Sequence, residues 1–165
     1  MGRMSHAQAP QSFGRVDDDG TVYVRTSDGE RSVGQVPDST SEEALEFFVR
    51  RYRALETEVS LLESRVSSGT ASPEEARSAA SKLVTSIREA NAVGDLESLA
   101  ARVEALTPTI DAKAETRREE RAEAKARAKQ AKEEMVAQAE AIAAGSDWRG
   151  GIGKFRDLLD QWRRL

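Results

Sequence analysis

The sequence predicts a mainly α protein: an elongated coiled-coil helical hairpin, a long charged helix and a small N-terminal antiparallel β-meander. Three observations carry that prediction. Apolar residues recur at alternating steps of three and four from Leu45 to Val66, the spacing that keeps one face of a helix apolar. The stretch from Pro108 to Ala144 contains no glycine and no further proline, so nothing inside it breaks a helix. Ahead of both, short valine-bearing runs are divided by D-D-D-G and S-D-G, which is hairpin chemistry.

Composition narrows the possibilities. Of 165 residues, 38% are hydrophobic and 33% charged, against about 45–50% and 25% in ordinary domains. With only eight aromatics, the chain suits helices that touch along narrow seams rather than a thick core. The net charge of −4 gives no global attraction to nucleic acid or an anionic membrane, so any such binding must come from local charge segregation. The absence of cysteine excludes disulfides and thiolate metal sites. No apolar run approaches the roughly 20 residues of a membrane span. The first residues lack the apolar core of a secretory signal, about 7–15 residues long. The expected location is the cytoplasm.

Element by element, residues 1–12 read as a disordered leader and residues 13–37 as the meander. Val16, Val22, Val24 and Val33 are its inward residues, and so thin a sheet needs a helix to pack on. Residues 40–106 read as a helical hairpin with a short third helix. Thr40 and Glu43 have capping-box spacing, and Leu45, Phe48, Tyr52, Leu55, Val59, Leu62 and Val66 form the coiled-coil seam. After Ser67–Thr70, Ser72, Pro73 and Glu75 start a second helix, with Ala76, Ala80, Leu83, Ile87 and Ala90 as its stripe. The short loop favours an antiparallel pair. Gly94 and Asp95 interrupt, and Leu96, Leu99, Val103 and Leu106 supply the third helix.

The helix of residues 108–144 would be roughly 55 Å long. It has no large apolar residue between Ala112 and Glu134, so it is expected to be an exposed rod. Gly145 ends it. Residues 146–165 then carry Trp148, Ile152, Phe155, Leu159 and Trp162 at heptad-like spacing, a stripe expected to pack on Met135, Ala139 and Ile142.

The rod sorts its charges. At about 100° per residue, Lys113, Arg117, Arg118, Arg121, Lys125, Lys129 and Lys132 fall within roughly 160° of one another, and the glutamates Glu115, Glu119, Glu120, Glu123, Glu133 and Glu134 fall outside that arc. Only Asp111 and Arg127 cross over. Lys113, Arg117, Arg121, Lys125 and Lys129 follow one another at i+4, where like charges destabilise a helix by a few tenths of a kcal/mol per pair. Three readings fit: a solvated helix with chance sorting, a ladder for the phosphates of RNA or a ribonucleoprotein, or a face for an acidic protein surface. A scaffold using the Leu45–Val66 seam for partner helices or self-association is the alternative to the RNA role.

Three stretches come near a known chemical site without completing it. S-D-W-R-G-G-I-G-K-F places Trp148 where a phosphate-binding loop needs its first glycine, and Phe155 where it needs a hydroxyl. D-D-D-G, set as a calcium loop, would have Arg15 and Thr26 at positions that require acids. His6, the sole histidine, lies in the leader, so no histidine-based triad is expected. The chain is expected to be no enzyme, with no cofactor, metal or small-molecule substrate.

E-E-M-V-A-Q-A-E-A-I-A-A-G-S-D-W followed by K-F-R-D-L-L-D-Q-W resembles the opening of the bacterial domain of unknown function 349. The matching positions are Ala139, Glu140, Ala141, Ser146, Asp147, Trp148, Leu158, Leu159 and Trp162. F-G-R-V-D-D-D-G-T-V-Y-V-R-T and S-E-E-A-L-E-F-F resemble the leader of actinobacterial members. The resemblance implies an all-helical, non-enzymatic architecture with Trp148, Phe155 and Trp162 as repeat-packing aromatics. It also implies a first repeat that is cut short at Leu165. Gly150, Gly151 and Gly153 stand where the repeat carries helix formers, so regular helix is expected only from Gly153 onward.

Overall fold

The computed structural model describes residues 8–145 and 148–165, without the side chains of Trp148 and Arg149. Residues 1–7 of the leader, His6 among them, and the Ser146–Asp147 junction lie outside the described residues. The chain divides into two units, residues 1–114 and 115–165.

The first unit opens with a correction to the leader. Pro10–Phe13 form a 3-10 turn, for which the fixed φ of proline is suited, and Phe13 packs against the core. The meander follows as β1 (Gly14–Val16), β2 (Thr21–Thr26) and β3 (Gly29–Gln35), in the order β1-β2-β3 with both pairs antiparallel. The pairing shifts by one between Val22 and Tyr23, so that Val22 opposes Gly34 and Tyr23 opposes Ser32. Val22, Val24 and Val33 are buried and Val16 partly so, as alternation required.

The sheet packs on α1 (Ser41–Ser68), which also carries α2 (Pro73–Glu89) and α3 (Leu96–Glu104). Both capping boxes close reciprocally. The Glu43 N–H donates to Thr40 Oγ1 at 3.2 Å and the Thr40 N–H to Glu43 Oε2 at 3.4 Å. Ser72 and Glu75 repeat the exchange at 3.2 Å each way. Asp95 caps α3 through the Ser98 N–H at 3.1 Å. Each cap stabilises its helix by about 1 kcal/mol.

The seam of α1 is spent inside this unit. Phe48, Tyr52, Val59, Leu62 and Val66 are buried, Leu45 and Leu55 partly so, and α2, α3, β1 and the 3-10 turn all pack on the helix. Val49 and Ala44, off the seam, are buried as well. The loop between α2 and α3 joins the core through Ala92 and Val93, and the Val93 N–H donates to the Phe48 carbonyl at 3.1 Å. Two glycines permit the closest approaches. A Cβ at Gly34 would lie 2.7 Å from the Phe48 ring, and one at Gly94 would lie 2.2 Å from that of Tyr52. The sheet and the loop therefore rest on aromatic rings with no side chain between.

α4 runs from Thr107 to Ala144 and α5 from Trp148 to Arg163. The first turns of α4 belong to the first unit, where Ile110 and Ala114 are buried. The rest of α4 and α5 make up the second unit. α5 corrects the sequence expectation, because it is helical from Trp148 straight through Gly150, Gly151 and Gly153.

Candidate interaction surface on the charged helix

Along α4, every residue from Glu115 to Arg127 is exposed, as expected of a helix whose middle holds only alanine, threonine and charged or polar side chains. Its backbone is satisfied internally, and alanine with glutamate, lysine and arginine supplies helix propensity. The seven cations do not share one fate. Lys113 is half-buried and its Nζ donates to the carbonyls of Val66 and, at 3.2 Å, Ser67. It closes the last turn of α1, where the orphan carbonyls and the negative end of the helix dipole attract a cation, and so leaves the ladder. Asp111, one of the two residues that broke the charge sorting, is paired with Arg77 at 2.7 Å.

Beyond Lys113 the cationic face is open. Arg117, Arg118, Arg121, Lys125 and Lys129 are exposed. Arg118 is paired at i+3 with Glu115 at 3.2 Å. Lys132 is half-buried, with its Nζ 5.5 Å from the centroid of the Trp162 ring. This cation–π contact joins α4 to α5. At the other end of α5, a Cβ on Gly151 would come 3.3 Å from Ile142. Residues 151 and 162 of α5 thus meet residues 142 and 132 of α4, so the two helices run antiparallel.

The contact is narrow and off the expected axis. Among the described side chains and glycines of α5, Gly151 and Leu158 are buried. Ile152 is 57% exposed, Leu159 50%, and Phe155 and Trp162 41% each. The stripe read from the sequence as packing on Met135, Ala139 and Ile142 is therefore largely open. Those three residues are half-covered. The physical reason is Gly151: with no side chain there, α5 approaches on its Gly151–Leu158 edge and turns the larger residues aside. Trp148, the first of the three repeat-packing aromatics, has a side chain outside the described residues. Lys125, Ala128, Lys129, Lys132, Val136 and Trp162 line an open cleft between the helices, and Val136 is itself exposed.

The sequence reading missed the Lys113 cap and the openness of the α5 stripe. The triplet of glycines beside that stripe was the available signal for a close, off-centre helix contact. Among the described residues no polar or charged residue is buried, no three histidine, cysteine or carboxylate residues gather to hold a metal ion, and no helix is long and apolar enough to cross a membrane.

Together these features define a class: a two-helix module with a charge-sorted long arm, preceded by a capped helix-and-sheet unit. Residues 98–165 match the family model described as Domain of Unknown Function (DUF349). The match starts within α3, well ahead of the Glu133 at which the sequence resemblance placed the opening, so the whole charged helix lies inside the family segment. No curated protein and no solved structure matches the chain.

Proposed function

We propose that this protein is a non-enzymatic interaction module of the cytoplasm that holds an acidic protein partner on the α4–α5 pair. One observation supports this above others: Ile152, Phe155, Leu159, Trp162 and Val136 are all 41% or more exposed, and Trp162 and Val136 share a cleft with Lys125, Lys129, Lys132 and Glu133. Grouped apolar side chains with a charged border are the usual mark of a docking surface. The lysines would favour acidic partners and speed their encounter.

RNA is the second reading. The exposed row of Arg121, Lys125 and Lys129 has the spacing of a phosphate ladder, with about 6 Å per rung. Bases stack on aromatic faces, which Phe155 and Trp162 could supply, but Ile152, Leu159 and Val136, the more exposed members of the surface, are aliphatic. The aliphatic character of the surface favours a protein.

Affinity purification from cells with and without nuclease separates the two. The protein reading expects a partner that survives nuclease and is lost on Leu159→Asp. The RNA reading expects nuclease-sensitive, steeply salt-dependent capture that is lost when Arg117, Arg121 and Lys125 are changed together to Glu. Nuclease-sensitive capture indifferent to Leu159→Asp would overturn the first reading.

A further inference from the structure

Along α4, Lys125, Lys129, Lys132 and Val136 follow one another at alternating steps of four and three, so they fall within an arc of about 60°. That ridge is one wall of the open cleft, and Trp162 is what α5 contributes to it. Residue 162 lies level with residue 132. Lys132 and Val136 therefore sit within the cleft, whereas Lys125 and Lys129 stand at or past the end of α5. The lysines meet a single acid there, Glu133. Among the described residues no carboxylate pairs with any of these lysines, while Arg118 on the same face is paired with Glu115.

Lys132 is set apart by its contact. Its Nζ lies 5.5 Å from the centroid of the Trp162 ring, within reach of a cation–π attraction. An ammonium carries three N–H donors, and the ring engages one side of it only, so donors are left for a carboxylate. A lysine side chain loses rotamer freedom when a ligand fixes it, and the indole already restricts Lys132 in the free protein. The apolar neighbour at this point is Val136, 45% exposed. A peptide segment with carboxylates ahead of an apolar side chain fits that order of groups along α4. A nucleic acid fits it less well, because a base stacked on the Trp162 face that Lys132 occupies would displace the ammonium from the ring.

Resting on the protein-docking reading above, we infer that Lys132, steadied over Trp162, anchors an acidic peptide segment of the partner. One carboxylate accepts from Lys132 Nζ with the ring behind it. Further carboxylates meet Lys129 and Lys125 at about 6 Å per rung, and an apolar side chain rests on Val136. Trp162 is a positioning residue, acting on the partner through Lys132.

The test uses the full chain and calorimetric titration. The probes are a synthetic run of glutamates ending in leucine, the same peptide with glutamine for glutamate, and oligouridine RNA. The acidic peptide should bind, and its glutamine counterpart roughly tenfold or more weakly. Trp162→Ala should weaken the acidic peptide about threefold. Trp162→Phe should weaken it less, because a ring remains. Lys132→Ala should weaken it more than Trp162→Ala does, and adding Trp162→Ala to Lys132→Ala should have little further effect, as expected of two groups acting as one. Both side chains are exposed or half-buried, so the variants should keep wild-type circular dichroism. Losses that simply add, or an acidic peptide that binds no better than its glutamine counterpart, overturn the inference. If a nuclease-resistant partner is still captured and is lost on Leu159→Asp, the docking reading survives that failure. Binding of oligouridine with no binding of the acidic peptide overturns both.

Discussion

α1 and α4, the two longest helices at 28 and 38 residues, are both dense in charge and are stabilised in opposite ways. α1 buries seven residues along its whole length. α4 buries two, Ile110 and Ala114, both near its start. The difference lies in the spacing of large apolar side chains, not in the number of charges. α1 is held by what packs on it, through contacts that supply most helical stability in proteins. Past Ala114, α4 relies on alanine, on its own backbone ladder and on the thin contact with α5. The first unit is accordingly where the large apolar side chains are buried, and the second leaves most of its own exposed.

The widest test of this contrast is the same substitution on each side of it. Leu62→Ala, at a buried position of α1, should lower stability by about 2–5 kcal/mol. Leu159→Ala on α5 should change it by no more than ~0.5 kcal/mol. The two units carry separate reporters, tyrosines in the first and tryptophans in the second, so denaturant titrations can follow each. Equal losses would mean that the α5 stripe is covered, and the contrast would collapse. A smaller effect, about 1 kcal/mol, is expected for Thr40→Ala, seen in the tyrosine transition and absent from the tryptophan one. The smallest concerns Glu97, whose carboxylate accepts the Ser27 N–H at 2.6 Å and is held below the usual carboxylate range by the hydrogen bonds from Ser27. A lowered folded-state value contributes stability above the unfolded one, and that contribution is lost as pH falls through the folded value. The midpoints of wild type and Glu97→Gln should therefore differ slightly at neutral pH and converge in acid; a gap that widens in acid would contradict the assignment.

Local chemistry was the most readable part of the fold. Thr40 with Glu43 and Ser72 with Glu75 start helices where their spacing said, because a cap is a contract among four neighbouring residues. The hairpin glycines worked likewise. Burial across the chain was harder to see. Val49 and Ala44 fall outside a single-seam reading because elements press on α1 from more than one side. Val93 sits in a loop and carries no periodic signal. The glycines of α5 looked like breakers, yet the helix runs through all three at a propensity cost of about 1 kcal/mol each; the close approach to Ile142 accounts for Gly151. In the candidate site, the charge sorting of α4 was legible and its openness confirmed for five of seven cations. The fates of Lys113 and Lys132 depended on partners 47 and 30 residues away in sequence.

The Lys113 cap has a practical consequence in terms of chemical reactivity. An amine that donates to two carbonyls is shielded from acylating reagents, whereas Lys125 and Lys129 stand in solvent. Graded lysine labelling read by mass spectrometry should therefore mark those two first, and Lys113 only when the last turn of α1 opens. The protein carries its own footprint of that turn, with no probe introduced.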